Sequence, residues 1–189
     1  MKVSKEKAAE HHRAVIEAAA IAFREDGFDG VNVSDIMQKA GLTHGAFYGH
    51  FKSKSDLAAV ACRCAFDERL NAWADDVSLT DYLDLYVSTF HRDRRGRGCP
   101  MAAFASDISR QPKAVQKEFE VGVSRYRERI ASRLAKTAAQ KAQRDSEATA
   151  LLGAMVGSII LARSTFSNRA LSARILTESR SVIASRFGV

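Results

Sequence analysis

From Glu6 to Glu25, Ala8, Val15, Ile16, Ala19, Ala22 and Phe23 return at helical spacing with charges between them, the pattern of one buried helical face. Gly27 ends the run, since glycine readily takes the left-handed conformation that closes a helix, and Phe28 can fold back onto the stripe. A short second helix is expected from Asn32, a capping residue answered by Asp35, through Ile36, Met37 and Ala40 to Gly41. Thr43 then caps a third helix, His44 to His50, which buries Ala46 and Phe47, with Phe51 just beyond it. Ser53 opens the next helix, with Asp56 completing a capping box. Two short helices joined through Gly41-Leu42-Thr43 have the spacing of a helix-turn-helix.

Beyond Asp56 the periods lengthen, and helices are predicted at 56–75, 80–91, 100–109, 113–139, 145–164 and 171–187. Breaks fall at Ser78-Leu79-Thr80, along Arg92 to Gly98, at Gln111-Pro112 and at Ser167-Asn168. No segment alternates with period two long enough to make a strand. The expected fold is all-α: a three-helix head over residues 1–55 and a larger helical body over residues 56–189.

Composition narrows this picture without deciding it. An apolar content of 46% with 27% charge, 11 glycines and two prolines suits long soluble helices. No run of 18 apolar residues occurs, and the basic start has no apolar core behind it, so the expected place is the cytoplasm, with no membrane partner. Three cysteines without framework spacing fit a reducing compartment. Cys62 and Cys64 fall on different faces of a helix and do not make a metal site; His11-His12 reads as solvated surface, so no metal or other cofactor is expected. The net charge of +7 is not carried by the head, where eight basic residues face eight acids over Met1 to Asp56. The excess lies from His91 to Arg144, with 14 Lys and Arg against five acids. Bulk charge therefore does not locate a nucleic-acid surface, and local pattern must.

That pattern is Gly41 to Leu57, GLTHGAFYGHFKSKSDL, which with Ala40 just before it resembles the TetR family of transcriptional regulators at Ala40, Gly41, Leu42, Thr43, Gly45, Ala46, Phe47, Tyr48, His50, Phe51 and Lys54. Phe23, Gly27, Phe28, Val33, Asp35 and Ile36 extend the resemblance over about 55 residues. A reading helix must place its first turn in the major groove, where base edges are distinguishable, and Thr43, His44 and Gly45 occupy that turn. Gly45 lets the backbone approach DNA closely. Tyr48 and His50 can donate to phosphates, and Lys52 and Lys54 flank the start of the next helix, whose amides also favour a phosphate. From Lys39 to Lys54 there are three lysines and no acid. The resemblance implies DNA contacts from Val33, Ser34, Thr43, His44, Gly45, Tyr48, His50, Lys52 and Lys54.

Two other readings compete. An enzyme would need a nucleophile elbow, phosphate loop, zinc spacing or dinucleotide fingerprint, and Gly96-Arg97-Gly98 is too short and basic to be one. A helical scaffold would make the motif a coincidence. The resemblance implies a non-enzymatic repressor that binds double-stranded operator DNA as a homodimer and responds to a small-molecule effector. Ala150, Gly153, Ala154 and Gly157 lay small residues along one helix side, with Ile159, Ile160, Leu161, Leu176 and Ile183 as apolar area for a dimer. Candidate linings of an effector pocket are Phe66, Leu70, Trp73, Tyr86, Phe90, Met101, Phe104, Phe119, Val123 and Tyr126, although aromatic residues at helical spacing also make ordinary core. Cys99, just before Pro100 at an expected helix start and preceded by Arg92, Arg94, Arg95 and Arg97, is a candidate low-pKa thiol sensor; a packed, inert thiol is its alternative.

Overall fold

The computed structural model describes residues 4–134 and 138–189, with the side chains of 138–143 set aside. Every regular element among the described residues is helical. Helix α1 (Lys5–Asp26), α2 (Val33–Lys39) and a 3₁₀ helix (His44–Gly49) form the head. Helix α3 (Lys54–Ala72) leads into a body of α4 (Leu79–Tyr86), α5 (Thr89–Asp93), α6 (Pro100–Phe104), α7 (Lys113–Leu134), α8 (Ala138–Ser164) and α9 (Arg169–Phe187). Two further 3₁₀ turns, Arg95–Arg97 and Ile108–Arg110, flank α6.

Local chemistry explains most boundaries. Gly27, at φ 78°, ends α1, and its N–H donates to the Phe23 carbonyl at 3.0 Å. The turn between α2 and the 3₁₀ helix is a Schellman motif. Leu42 N–H donates to Met37 O at 2.9 Å and Gly41 N–H to Gln38 O at 3.0 Å, with Gly41 at φ 72°. Ser53 caps α3 by accepting from the Asp56 amide at 3.1 Å. Asn32 stands at the N-cap of α2 but makes no side-chain capping bond, contrary to expectation.

The body differs from its sequence pattern where tertiary contacts interrupt a helix. The expected helix 80–91 is two, α4 and α5, because Ser88 starts a new cap by accepting from the His91 amide at 3.1 Å. The expected helix 100–109 stops at Phe104 and resumes as a 3₁₀ turn at Ile108. Helix α7 is described to Leu134; the stretch foreseen to 139 passes through 135–137, outside the described residues, and its end at 139 falls in α8. Helix α8 begins before the foreseen 145. Its segment Arg144–Ser164 is long and apolar enough by composition to cross a membrane. Its Leu151, Met155, Ile159 and Ala162 are completely buried, and it packs on α7 and α9.

One core runs through head and body. In the head, Phe23, Ile36, Met37, Phe47 and Leu57 are buried, each contributing about 1.5–3 kcal/mol by leaving water. Helix α3 continues into the body, where Phe66 packs edge-on against Phe119 and Tyr126. A buried polar joint ties the two together. Arg24 of α1 donates to Glu68 Oε2 at 2.6 Å and to the Gly98 carbonyl at 3.3 Å. From α8, Arg163 reaches the carbonyls of His91 at 3.0 Å and Arg92 at 3.2 Å, while Arg92 donates to Ser172 of α9 at 2.9 Å. His91 and the stretch Arg92 to Gly98, the latter foreseen as a basic break, are thus a hub on which α1, α8 and α9 converge.

His91 lies at the centre of that hub and carries a pH prediction. Its Nδ1 bonds the Tyr86 carbonyl at 2.7 Å, so Nδ1 holds the hydrogen and Nε2 is free to accept from the Cys99 amide at 2.9 Å. Burial, above all, holds its pKa down to about 4, with Arg163 and Arg69 adding to the depression against the Tyr86 bond. The unfolded chain therefore binds this proton first. The stability from neutral His91 is complete above about pH 6.5 and is lost as pH falls towards 4, a loss of about 3 kcal/mol at most. Urea midpoints between pH 7 and 4 should fall accordingly, and less steeply in His91→Gln; parallel curves would contradict the assignment.

Candidate nucleic-acid interface

Of the residues expected to meet DNA, those from Thr43 to Lys54 lie along the 3₁₀ helix and the start of α3, while Val33 and Ser34 open α2. Thr43, His44 and Gly45 are all exposed at the start of the 3₁₀ helix, and the Thr43 hydroxyl makes no capping bond, leaving it available. Nothing of the protein lies within 4 Å of where a Gly45 side chain would begin. Tyr48 is 71% exposed, so it does not close the head's core; it stands on the surface with its ring edge-on to Phe47. Ser34 at the start of α2 is exposed and Val33 beside it half-buried. Lys52 is exposed and Lys54, first residue of α3, half-buried.

The reading segment is a 3₁₀ rather than an α-helix. It has six residues, two of them glycines that disfavour regular helix, and it closes with Ala46 N–H to Thr43 O at 3.1 Å and His50 N–H to Phe47 O at 2.9 Å. His50 is half-buried, 5.8 Å from the His12 ring, which itself stacks on Phe51 at 4.7 Å. Burial, then the neighbouring His12 and His11, holds the His50 pKa below its ordinary value. At neutral pH it is an uncharged N–H donor. His11 and His12 are partly buried rather than fully solvated, and no metal-binding cluster occurs among the described residues.

The body departs from the expected pocket. Phe66, Leu70, Trp73, Tyr86, Met101, Phe104 and Tyr126 are buried against one another. Trp73 stacks on Tyr82 at 3.7 Å, and Tyr82 and Tyr126 pair their hydroxyls at 3.3 Å. Phe119 and Val123 pack at the margin of this core. Phe90 is 54% exposed under the Arg94 guanidinium and lines nothing internal. Aromatic periodicity marks core and pocket alike, so it could not separate them. Two polar atoms inside the cluster do stand out. The Tyr86 hydroxyl has no nitrogen or oxygen partner, only the weakly bonding Cys99 thiol near it, and Arg69 Nε is buried with no partner at all. Sequence reading missed Arg69; its only signal was its spacing, three residues after Phe66 and seven after Cys62 on the inward face of α3.

Of the two readings of Cys99, the structure favours the packed, inert thiol. It does sit at the N-cap before Pro100, but it is 1% exposed. Burial raises its pKa, outweighing the Tyr86 hydroxyl and the amides of Ala102 and Met101 that favour the thiolate. The preceding arginines are turned elsewhere, Arg92 to Asp93 and Ser172, Arg94 over Phe90, and Arg97 towards Glu68. Cys62 is pushed up to about 12 by burial and Glu118. Cys64 is the least buried of the three thiols. Under native conditions iodoacetamide should therefore modify Cys64 first, with Cys62 and Cys99 reacting on unfolding; rapid native labelling of Cys99 would reverse this reading.

Comparison with known proteins agrees with this arrangement. Residues 15–61 match the model of bacterial regulatory proteins of the tetR family, and residues 77–174 that of the LmrA/YxaF-like transcriptional regulator C-terminal domain. The chain belongs to the TetR family of transcriptional regulators. Members of this family are transcription factors, not enzymes. The head is 43% identical over 54 residues to the HTH-type transcriptional regulator TtgR of Pseudomonas putida, covering 29% of this chain. That match spans about a quarter of the relative's length, 26%. Two solved TetR-family regulators share the fold across nearly the whole chain. One, from Cytophaga hutchinsonii, has TM-score 0.72 at 19% identity, covering 98% of each chain. The other, from Chloroflexus aurantiacus, has TM-score 0.73 at 22% identity, covering 95% of this chain and 96% of its own.

Proposed function

We propose that this TetR-family chain is an effector-responsive repressor that acts in the cytoplasm, binding a pseudo-palindromic operator as a homodimer through a head of residues 1–55. The observation that carries the reading is the exposed end of that head, where Thr43, His44, Gly45 and Tyr48 project together and Lys52 and Lys54 flank them. Thr43 and His44 read base edges, Gly45 admits the backbone, and Tyr48, His50 and the two lysines hold phosphates, with Val33 and Ser34 at the neighbouring helix start. The body, residues 56–189, supplies the other two functions. Gly153 and Leu161 on α8 and Val182 on α9 form an exposed apolar seam, with Ala154 and Gly157 half-exposed beside them. Ile159 and Leu176 are buried within the protomer, whereas Ile183, though mostly buried, lines the groove between the two helices beside Leu161 and Val182. The Tyr86 hydroxyl and Arg69 Nε are the groups a polar effector would satisfy on opening the aromatic cluster.

Selection from a random-sequence pool followed by footprinting tests this directly. Two related half-sites, separated by one helical turn of about 34–36 Å or a multiple, are expected; a single half-site bound by a monomer contradicts the dimer. Lys54→Ala should weaken binding on all sequences alike and reduce the slope of log K against log salt by about one. An unchanged slope would remove Lys54 from the phosphate contacts.

A further inference from the structure

An open groove of about 610 Å³ lies away from the aromatic cluster, between α1 of the head and α3. Pockets that hold small organic molecules span roughly 300–1,000 Å³. Its floor is apolar: Ile16 and Ile21 from α1, Val60 and Cys64 from α3. Its rim carries Arg13, Arg63 and Arg97, facing Glu17, Asp67 and Glu68. By count these charges cancel, but two of the acids are already engaged. Glu68 is held at 2.6 Å by the buried Arg24, and Asp67 is paired with Arg125, neither arginine belonging to the groove. The cations are less committed. Arg97 approaches Glu68 only at 3.6 Å and is 71% exposed, and Arg63 meets Glu118 at 3.6 Å. Arg13 has no ion pair among the described residues. With Arg63 paired to Glu118, the groove offers an apolar floor under two under-used guanidinium donors, Arg13 and Arg97, and Glu17 is the rim acid not already held by an arginine from outside it. Guanidinium matches carboxylate in a bidentate fork, which favours an organic anion over an inorganic one once the apolar floor is also to be covered.

We propose that the α1–α3 groove is a binding site for amphipathic organic anions, a carboxylate on a hydrocarbon body, distinct from any effector site in the aromatic cluster. Its walls are the first helix of the head and the helix that joins head to body, so an occupant wedges the joint spanned by Arg24 and changes how the head is held. This regulatory consequence rests on the DNA-binding function proposed above; the binding itself does not.

Decanoate is the probe, with decyltrimethylammonium as its cationic counterpart, and Cys64 in the groove floor is the reporter. Decanoate should slow iodoacetamide modification of Cys64 in the full-length protein saturably, while the cation does not. The double variant Arg13→Ala/Arg97→Ala should need about tenfold more decanoate for the same protection, as expected for two exposed charge pairs lost. Equal protection by both amphiphiles, no protection, or an unaltered double variant would each overturn the site. So would simultaneous exposure of Cys62 and Cys99, which reports unfolding rather than binding. On selected operator DNA, decanoate should shift the wild-type affinity and leave the double variant unmoved at the same concentration. Protection of Cys64 with unchanged operator affinity would overturn the regulatory role alone. A wild-type chain that selects no DNA would instead count against the proposed function, leaving the Cys64 result to judge the groove.

Discussion

Replacing Gly122 with valine should cost the protein about 2–3 kcal/mol. Gly122 lies mid-way along α7, where glycine is otherwise unfavourable by about 1 kcal/mol relative to alanine, so a reason for it must be tertiary. The reason is Phe66. A Cβ at residue 122 would overlap the Phe66 ring itself rather than the end of a flexible chain. Phe66 is completely buried and packed edge-on to Phe119 and Tyr126, so its ring cannot simply swing out to solvent. The glycine is thus what allows α3 and α7 to approach. In thermal unfolding Gly122→Val should melt about 5–10 °C lower for a chain of this size. Phe66→Leu should restore part of the loss when combined with it, giving a coupling that neither change shows alone. A Gly122→Val protein with wild-type melting would mean that α3 and α7 do not meet in this register.

The same glycine shows where sequence reading stops. Gly27 and Gly41 were legible as helix ends because their requirement is local: a left-handed residue closes a turn whatever surrounds it. The Ser53 cap was legible for the same reason. Gly122 looks like a random blemish in a helical period until Phe66, 56 residues away, is placed against it. The split of 80–91 into two helices and the hub at residues 91–98 are of this kind too. Ser88 and the run of arginines signal polarity, but only the approach of α8 and α9 turns Arg92 and Arg163 inward. Cys99 stayed open between two readings for a related reason. Its N-cap position and its cationic neighbours were correct as sequence features, while burial, which decides its pKa, is a property of the whole fold.

The head is legible because its function constrains its surface as tightly as packing constrains its core, and Gly45 separates the two demands. Gly45→Leu should leave stability within about 0.5 kcal/mol of wild type, since the position is exposed and nothing of the protein lies within 4 Å of where its Cβ would stand. Its φ is not left-handed, so the backbone tolerates a side chain. Operator affinity should nonetheless fall by at least about a hundredfold, roughly 2.8 kcal/mol, because a side chain in the first turn holds the reading helix off the groove floor. Gly49 is the internal control. It is equally open and also exposed, but it lies at the far end of the same 3₁₀ helix. Gly49→Leu should therefore fold as well and bind far closer to wild type. Thermal melts and anisotropy titrations of the two variants on one selected operator separate the outcomes. If both bind alike, close approach at Gly45 is not what the head requires; if Gly45→Leu fails to fold, the glycine serves the protein and not the DNA.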